Sequence, residues 1–252
     1  MAGNLFPGTL LRLWDGLWPL LWPPRCALCK ELLDSATGSG FCHACFQTVR
    51  RVDLPLCSIC GRPLSEVSRP EGNTCGYCIE ENPRYDTARL YGSYEGALAE
   101  VIKDFKFNDK RSALPALAGL MKETYERFYS GSCFDAVIPV PLHRSRLWER
   151  GFNQAADLAR AVADKGELRL RHDVLVRSRK TSFQYALSIR ERERNVRGAF
   201  RVSRPPGVRD KSILLIDDLI TTGATVNECA RVLKKAGSRR VCVLCLAGSF
   251  RP

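Results

Sequence analysis

From about residue 86 to the end of the chain, short apolar runs alternate with longer stretches whose apolar residues recur every three or four positions. The short runs predict strands at 88–94, 134–140, 174–177, 199–202, 213–216 and 240–247. The longer stretches predict helices at 98–105, 112–129 and 153–164, and one more after the run at 213–216. Strands that alternate with helices are typical of an α/β fold with a parallel, doubly wound sheet.

The apolar run at 213–216 is followed without a break by two carboxylates, Asp217 and Asp218. Ligands of open α/β sheets bind at the carboxyl ends of the strands, so two acids there can bind sugar hydroxyls or a metal ion. A purely structural strand and turn is the alternative, but adjacent carboxylates repel each other and gain nothing from packing. The pair therefore predicts a ligand site.

A loop rich in threonine follows the acidic pair. Its residues are Thr221, Thr222, Gly223, Ala224 and Thr225, and the next helix has the apolar face Val226, Cys229, Ala230 and Leu233. Glycine lets the backbone approach an anion closely, and the N–H groups at a helix start attract negative charge. We therefore expect this loop to bind a phosphate group.

A second polar segment follows the strand predicted at 134–140, which ends in Pro139-Val140-Pro141. Proline stops the hydrogen-bond ladder of a strand, so a rigid loop is predicted here. The loop carries His143, Arg144, Arg146 and Arg150. Guanidinium groups match phosphate oxygens, which suits the loop to pyrophosphate. The alternative is a solvated basic loop in which Asn153 caps the next helix.

Eight of the twelve cysteines form four Cys-x-x-Cys pairs before residue 80. They are Cys26 and Cys29, Cys42 and Cys45, Cys57 and Cys60, and Cys75 and Cys78. Two such pairs can hold one zinc ion in a tetrahedral site, so the sequence predicts two structural zinc ions. Sequential pairing of the first four and the last four cysteines is the simplest arrangement, and an interleaved cross-brace stays open.

Residues 1–24 predict an amphipathic helix, because nine leucines and tryptophans lie between positions 10 and 22. The segment carries Arg12, Asp15 and Pro19 and lacks a basic leader and a cleavage site, so neither a secretory signal nor a transmembrane span is expected. Packing on the protein's own core is favoured over a partner groove or a peripheral membrane contact. Without an export signal we expect a reducing, cytoplasmic compartment, where cysteines bind metal.

A polar link at 79–86 separates the cysteine-rich segment from the α/β pattern. We therefore expect an N-terminal helix at 1–24, a double zinc ribbon at 25–85 and an α/β domain at 86–252. Cys242 and Cys245 form a fifth Cys-x-x-Cys inside a predicted strand, where positions i and i+3 point to opposite faces. They cannot chelate one ion, and with Cys133 and Cys229 they are predicted to be core thiols.

The formal charge of +12 comes entirely from the residues after 85. Residues 1–85 contain 8 basic and 8 acidic side chains, whereas residues 142–211 contain 18 basic and 8 acidic ones. Such a segment suits pyrophosphate, nucleotides or nucleic acid, although scattered charge that maintains solubility is the commoner cause. Trp148, Phe152, Phe183 and Tyr185 would add stacking surfaces for single-stranded DNA.

The stretch ILLIDDLITTGAT at 213–225 resembles the 5-phosphoribosyl 1-pyrophosphate (PRPP) motif of type I phosphoribosyltransferases at every defining position. The segment PVPLHRSRLWERGFNQ at 139–154 resembles a loop shared by ComF-type competence proteins and the related GntX group. Those proteins also have an apolar N-terminal segment and a double zinc ribbon. Looser matches are Lys103, Phe105, Lys106, Thr181, Gln184, Arg190, Asn195 and Phe200. The chain is thereby identified as a member of the ComF/GntX family over nearly its whole length.

The resemblance implies a type I phosphoribosyltransferase-like fold that binds PRPP, or another ligand containing ribose 5-phosphate, with Mg²⁺. It implies that Asp217 and Asp218 bind the ribose hydroxyls and that residues 221–225 bind the 5′-phosphate. Val140, Pro141, His143 and Arg144 would complete the PRPP site. Asp217, Asp218 and Arg150 would be the catalytic residues of a pentosyl transfer, in which a nitrogen nucleophile displaces pyrophosphate from carbon 1.

Residues 178–198 occupy the place of a mobile loop that closes over the substrate in related transferases, and an exposed helix with alternating charges is an equally good interpretation. Family membership also implies a role in DNA uptake and natural competence, with single-stranded DNA or the competence helicase machinery as a partner. Three functions stay open: phosphoribosyl transfer, PRPP sensing linked to DNA uptake, and single-stranded DNA binding without catalysis. The motifs do not specify an acceptor.

Overall fold

The computed structural model describes residues 23–33, 40–64, 72–107, 111–164, 168–181 and 189–249. The helix predicted at 1–24 lies outside these ranges except for its last two residues. Phe183, Gln184 and Tyr185 also lie outside them. No helix within the described ranges has both the length and the apolar character needed to cross a bilayer.

The described elements follow one another along the chain in an alternating order. They are α1 (His43–Thr48), α2 (Gly76–Glu81), β1 (Thr87–Ser93), α3 (Gly96–Phe107), α4 (Leu114–Tyr129), β2 (Ala136–Pro139), α5 (Arg144–Arg150), α6 (Gln154–Ala163), β3 (Leu175–Arg177), α7 (Ile189–Val196), β4 (Phe200–Val202), β5 (Ser212–Ile220), α8 (Ala224–Lys235) and β6 (Arg240–Gly248). Single-turn 3₁₀ helices lie at Arg111–Ala113 and Pro205–Gly207.

Four strands form one sheet in the order β1-β6-β5-β2, and every neighbouring pair is parallel. This confirms the α/β class and the parallel sheet. β3 and β4 differ from the expected alternation, because they pair antiparallel with each other in a separate two-stranded ribbon. Their short length and half-polar pattern, with Arg201 exposed on β4, suit an outer ribbon rather than the centre of a sheet.

Both faces of the main sheet are covered, which explains the unbroken apolar run of β5. Ile213 and Leu215 point to one layer, formed by α8, the β3–β4 ribbon and the segment with the last four zinc-site cysteines. Leu214 and Ile216 point to the other layer, formed by α3, α4, α6 and the segment with the first cysteines. Each cysteine-rich segment thus packs on a different face of the sheet.

The four cysteines outside the four zinc-site pairs are predicted to be core thiols, and the structure shows which of them are buried. Cys242 and Cys245 are fully buried in opposite layers, as the strand geometry predicted, and Cys229 is buried on α8. The prediction for Cys133 is wrong: its side chain is exposed. It lies in the turn between α4 and β2, before the buried part of the strand begins.

The chain order of the strands creates a crevice. The helix α6, which follows β2, packs in one layer, whereas α8, which follows β5, packs in the other. β2 and β5 are adjacent, so the connections at their carboxyl ends diverge to opposite faces. Open α/β sheets bind their ligands at such a point.

Candidate functional site

A cavity of about 190 Å³ lies at the carboxyl ends of β2 and β5. Its charged lining has five cations and two acids: Lys106, Arg146, Arg150, Arg177, Arg192, Asp217 and Asp218. Thr221 and Thr225 add two hydroxyls, and Val140 and Leu142 line the side that follows β2. The balance of charge favours a ligand with several negative charges.

The two acids point to opposite faces of the sheet, because β5 continues through both of them to Ile220 rather than ending at Ile216. Asp217 pairs in register with Cys245 and accepts a hydrogen bond from the Asp218 N–H at 2.9 Å. Burial, and then the neighbouring Asp218 carboxylate, raise the pKa of Asp217 to about 7. A carboxylate with so high a pKa is typical of a functional site.

Asp218 forms an ion pair with Lys106 of α3, with 2.9 Å between Nζ and Oδ2. The two side chains are only 12% and 11% exposed. A buried cation thus compensates the acid that faces the α3 layer, and the same ammonium group borders the cavity.

The loop after β5 turns tightly into α8. Gly223 is the N-cap residue with φ 75° and ψ −5°, a left-handed conformation that favours glycine. The Thr222 hydroxyl accepts a hydrogen bond from the Ala224 N–H at 3.4 Å. Residues 219–226, with Asp217, line a small concave cradle of about 20 Å³ at the helix start. An anion at this position would meet the positive end of the helix dipole.

Arg177 and Gln154 each have a buried donor without a hydrogen-bond partner among the described residues. These donors are Arg177 Nε and Gln154 Nε2. Arg177 is 7% exposed and Gln154 is 2% exposed. Both residues line the cavity. Buried polar groups are normally hydrogen-bonded, so both donors fit an acceptor oxygen of a ligand.

Thr181 joins two of the cavity arginines. Its hydroxyl accepts a hydrogen bond from Arg177 Nη2, and its carbonyl accepts one from Arg146 Nη2 at 3.3 Å. The Arg177 guanidinium also lies over the Phe200 ring, 5.2 Å from the centroid. Burial, and then the positive charge of Arg146, lower the pKa of Arg177, and the nearby Asp217 opposes this only in part.

The rigid basic loop predicted after Pro141 is wrong in form, because residues 144–150 are the helix α5. His143 caps this helix: its Nδ1 accepts a hydrogen bond from the Ser145 N–H at 3.3 Å. Residues four apart share a helix face, and Arg146 and Arg150 accordingly line the cavity together. Pro141, His143 and Arg144 are not among its lining residues, so a contact with them needs a ligand that extends past the rim.

The predicted cap of the following helix is confirmed. The Asn153 side chain accepts a hydrogen bond from the Ala155 N–H at 3.1 Å and donates one to the Val140 carbonyl at 3.1 Å. It therefore ties α6 to the end of β2 and fixes one wall of the cavity.

The segment 178–198 is partly helical, with α7 at Ile189–Val196. Arg192 on α7 lines the cavity, so this segment contributes to the site. Among the aromatic residues proposed for stacking, Trp148 is 87% exposed, whereas Phe152 is buried against Phe105. The stacking role predicted for Phe152 is therefore wrong.

The eight paired cysteines form two clusters, each with four Sγ atoms within 4.8 Å of one another. One contains Cys26, Cys29, Cys42 and Cys45, and the other contains Cys57, Cys60, Cys75 and Cys78. This is the sequential pairing, not the cross-brace. The Sγ atoms of Cys29 and Cys42 are 3.8 Å apart, and those of Cys60 and Cys75 are 3.6 Å apart. Tetrahedral Zn–S bonds of ~2.3 Å require about 3.8 Å between sulfurs, so both clusters fit structural zinc.

The surroundings of the clusters also favour thiolates. The Cys57 Sγ accepts a hydrogen bond from the Cys75 N–H at 3.3 Å, and the Cys42 Sγ accepts one from the Cys45 N–H at 3.5 Å. Zinc ligands must be deprotonated, and such donors to sulfur are usual around structural zinc. The second cluster is entirely buried, whereas Cys29 of the first is exposed.

Sequence reasoning missed Arg177 and Gln154 as site residues and treated Lys106 only as a loose family match. No local sequence pattern identifies these residues, because they come from three elements that lie far apart in the chain and meet only in the folded structure. The loose family match at Thr181 gave a partial signal for this part of the site, because its neighbours in the sequence are basic.

Two family models match this chain. The double zinc ribbon domain matches residues 17–79, and the phosphoribosyl transferase domain matches residues 114–251.

Curated relatives match most of the chain. DNA utilization protein YhgH of Escherichia coli O6:H1 is 33% identical over 228 residues, which cover 89% of this chain and 96% of that protein. Competence protein F of Haemophilus influenzae is 30% identical over 227 residues, with coverage of 88% and 96%. Competence protein ComFC of Bacillus subtilis is 27% identical over 205 residues, with coverage of 78% of each chain.

Proposed function

This chain belongs to the ComF family, whose members join a double zinc ribbon to a phosphoribosyltransferase domain, and from that premise we propose that its cavity binds PRPP with Mg²⁺. The observation that carries the proposal is the order of groups at the end of β5. Two acids, a glycine-started helix and five surrounding cations meet at one cavity. A phosphorylated sugar that also bears pyrophosphate matches this set group by group.

The residues have separate roles in the proposed complex. The N–H groups and hydroxyls of residues 221–225 bind the 5′-phosphate at the start of α8. Asp217 and Asp218 accept hydrogen bonds from the ribose hydroxyls. Arg146, Arg150 and Arg177 bind the pyrophosphate through their guanidinium groups. Mg²⁺ would enter the cavity with the ligand, Asp217 and Asp218 would be the acids available to hold it there, and its charge would reduce that of the leaving group.

If the site turns over, a nitrogen nucleophile attacks carbon 1 of the ribose. The new C–N bond forms as the C–O bond to pyrophosphate breaks, and pyrophosphate leaves with the bonding electron pair. Positive charge develops near carbon 1, where the Asp217 and Asp218 carboxylates stabilise it. Arg150 and its neighbouring cations stabilise the departing anion. Chemistry of this kind depends mainly on positioning and electrostatics.

Isothermal titration with PRPP and Mg²⁺ tests the binding proposal. Wild-type protein should bind one PRPP, and a variant with both Asp217→Asn and Asp218→Asn should lose at least ~100-fold in affinity, because two charge-assisted hydrogen bonds are weakened. The variant Asp135→Asn is the matched control, since Asp135 bonds the Ser212 N–H at the start of β5, at the opposite end of that strand from the cavity. Wild-type protein without any binding would overturn the proposal.

Release of pyrophosphate separates transfer from sensing. Incubation with PRPP, Mg²⁺ and a panel of nitrogen nucleophiles should release pyrophosphate with one class of acceptor if the protein is a transferase. Tight binding without release across the panel would support PRPP sensing instead.

A second proposed function is single-stranded DNA binding linked to DNA uptake. The relatives' printed names refer to competence and DNA utilization. The specific observation in its favour is Trp148, which is 87% exposed on α5 and lies four positions after the exposed Arg144, on the same face of that helix. An exposed ring beside a cationic surface suits the stacking of unpaired bases.

Fluorescence anisotropy with a labelled oligonucleotide tests this second function. Trp148→Ala should weaken binding by ~1–3 kcal/mol, the value of one stacked base, without changing the free energy of unfolding. Affinity should also fall steeply as salt rises. Leu147→Ala, which removes a less exposed neighbour, is the control. Equal binding by wild type and Trp148→Ala would remove Trp148 from the proposed surface.

A further inference from the structure

The loop at residues 221–225 is covered on its outer side by the second cysteine-rich segment. We call residues 55–64 and 72–85, with their four zinc-site cysteines, the second ribbon. Its cysteines belong to the same buried cluster as Ile220, Ala224 and Val226, which flank or form the loop. The ribbon and the loop therefore share one continuous core.

One side chain of the second ribbon bonds the loop backbone directly. Tyr77, which lies between the zinc-site residues Cys75 and Cys78, donates its hydroxyl to the Thr222 carbonyl at 2.8 Å. The hydroxyls of Tyr77 and Tyr85 each lie 3.9 Å from the position that a Cβ of Gly223 would take. Two phenol groups thus enclose the glycine at the turn.

The hydrogen bond fixes the orientation of one peptide group. The C=O and N–H of a trans peptide point in opposite directions. With the Thr222 carbonyl held by Tyr77, the Gly223 N–H points away from the Tyr77 hydroxyl, and Thr222 and Gly223 both line the cradle. Rotation of this peptide is the motion that glycine permits most easily, and it would turn the N–H away from an anion.

Further contacts hold the second ribbon in place against the α/β domain. The Arg84 N–H donates to Asn227 Oδ1 on the first turn of α8 at 2.6 Å. The Ala88 N–H of β1 donates to the Ile59 carbonyl at 2.6 Å, and Arg89 Nη2 donates to the Ser58 carbonyl at 3.1 Å. Tyr77 therefore acts from a fixed support rather than from a free loop.

We infer that the second ribbon is part of the phosphate site and that Tyr77 is a positioning residue for it. Tyr77 holds the Thr222–Gly223 peptide so that its N–H faces the 5′-phosphate of the ligand. We call residues 23–33 and 40–50, with the first four zinc-site cysteines, the first ribbon; it packs on the opposite face of the sheet and is not part of the inferred phosphate site. This inference rests on the proposed function, because it assigns the 5′-phosphate to residues 221–225.

The test is titration of Tyr77→Phe, in the full zinc-loaded chain, with ribose 5-phosphate and separately with pyrophosphate. The variant keeps the ring, which packs under the Arg62 guanidinium, and loses only the hydroxyl. Loss of one hydrogen bond should weaken ribose 5-phosphate binding about two- to tenfold. Pyrophosphate binding should not change, because the cavity arginines lie outside the loop.

Tyr91→Phe is the matched control. Its hydroxyl accepts a hydrogen bond from Arg51 at 3.2 Å in the layer of the first ribbon, so its loss should alter neither affinity. Hydrogen exchange gives a second readout: amide exchange in residues 219–226 should be faster in Tyr77→Phe than in wild type. If Tyr77→Phe does not fold, Asn227→Ala removes the second tie and should weaken ribose 5-phosphate binding in the same direction.

The outcomes separate the inference from the function beneath it. Equal ribose 5-phosphate affinity and equal exchange in wild type and Tyr77→Phe would overturn the role of Tyr77 and leave PRPP binding intact. A similar loss for both ligands would also overturn it, since that is the result of general destabilisation. Wild-type protein that binds neither ribose 5-phosphate nor PRPP would overturn the proposed function and the inference together.

Discussion

Replacement of Asp217 by asparagine should make the fold more stable at pH 8. Burial and the neighbouring Asp218 raise the pKa of Asp217 from 3.8 to about 7, so the folded protein holds this carboxylate at a cost when it ionises. Asparagine has nearly the same shape, never ionises, and can still accept the hydrogen bond that the Asp218 N–H donates at 2.9 Å. The Asp218–Lys106 ion pair stays in place.

The magnitude follows from the difference in pKa. A shift from 3.8 to about 7 corresponds to ~4 kcal/mol at ~1.4 kcal/mol per pH unit. Asp217 borders the cavity and is partly exposed, so solvent screening reduces this ceiling to about 2 kcal/mol. The sign follows from proton binding. Between pH 3.8 and about 7 the folded chain holds a proton that the unfolded chain has lost, so wild-type stability falls as pH rises through this window.

Urea unfolding at about pH 5.5 and pH 8 measures the effect. The advantage of Asp217→Asn should be largest at pH 8 and about half as large at pH 5.5, where wild-type Asp217 is mostly protonated. Asp135→Asn is a control of opposite sign, because the Ser212 N–H and Lys211 lower the pKa of Asp135. It should lose stability equally at both pH values. An Asp217→Asn variant that is no more stable than wild type at pH 8, or whose advantage grows at lower pH, would refute the reasoning.

Three further changes have defined results. Lys106→Met leaves Asp218 buried without its cation and should lower the free energy of unfolding, measured in urea, by ~3–5 kcal/mol. Lys103→Met, on the exposed side of α3, is the control and should change this free energy little. Equal effects of the two substitutions would contradict the role of the ion pair. Gly223→Ala places a side chain at φ 75°, so it should lower the free energy of unfolding by ~1 kcal/mol or more and weaken ribose 5-phosphate binding. Gly131→Ala is the control and should do neither, because Gly131 does not have a positive φ. Metal analysis should find two zinc ions per chain. A chelator should remove the zinc of the cluster with the exposed Cys29 first. A single phase of zinc release, or a native protein without metal, would contradict the two-site account.

The fold was largely predictable because its central strands are covered on both faces. β5 and β6 show unbroken apolar runs, and α8 shows a helical apolar face, so periodicity indicates a parallel sheet and its helices. The helix α5 could not be found in this way. Its sequence, RSRLWER, has no buried residue and begins at a histidine cap, which leaves no apolar period to detect.

The candidate site divides in the same way. The acidic pair and the loop at 221–225 are contiguous in sequence, so residue chemistry and spacing revealed them. Lys106, Gln154 and Arg177 come from α3, α6 and β3, and only folding brings them to the cavity. The contact of Tyr77 with Thr222 spans 145 positions and two domains, and no local pattern encodes it.

A crystal structure of the full chain with PRPP and Mg²⁺ tests the central claim most directly. We expect the 5′-phosphate on the N–H groups of residues 221–225, the ribose hydroxyls on Asp217 and Asp218, and the pyrophosphate among Arg146, Arg150 and Arg177. Saturating PRPP bound elsewhere, or a cavity without ligand at the end of β5, would contradict the account.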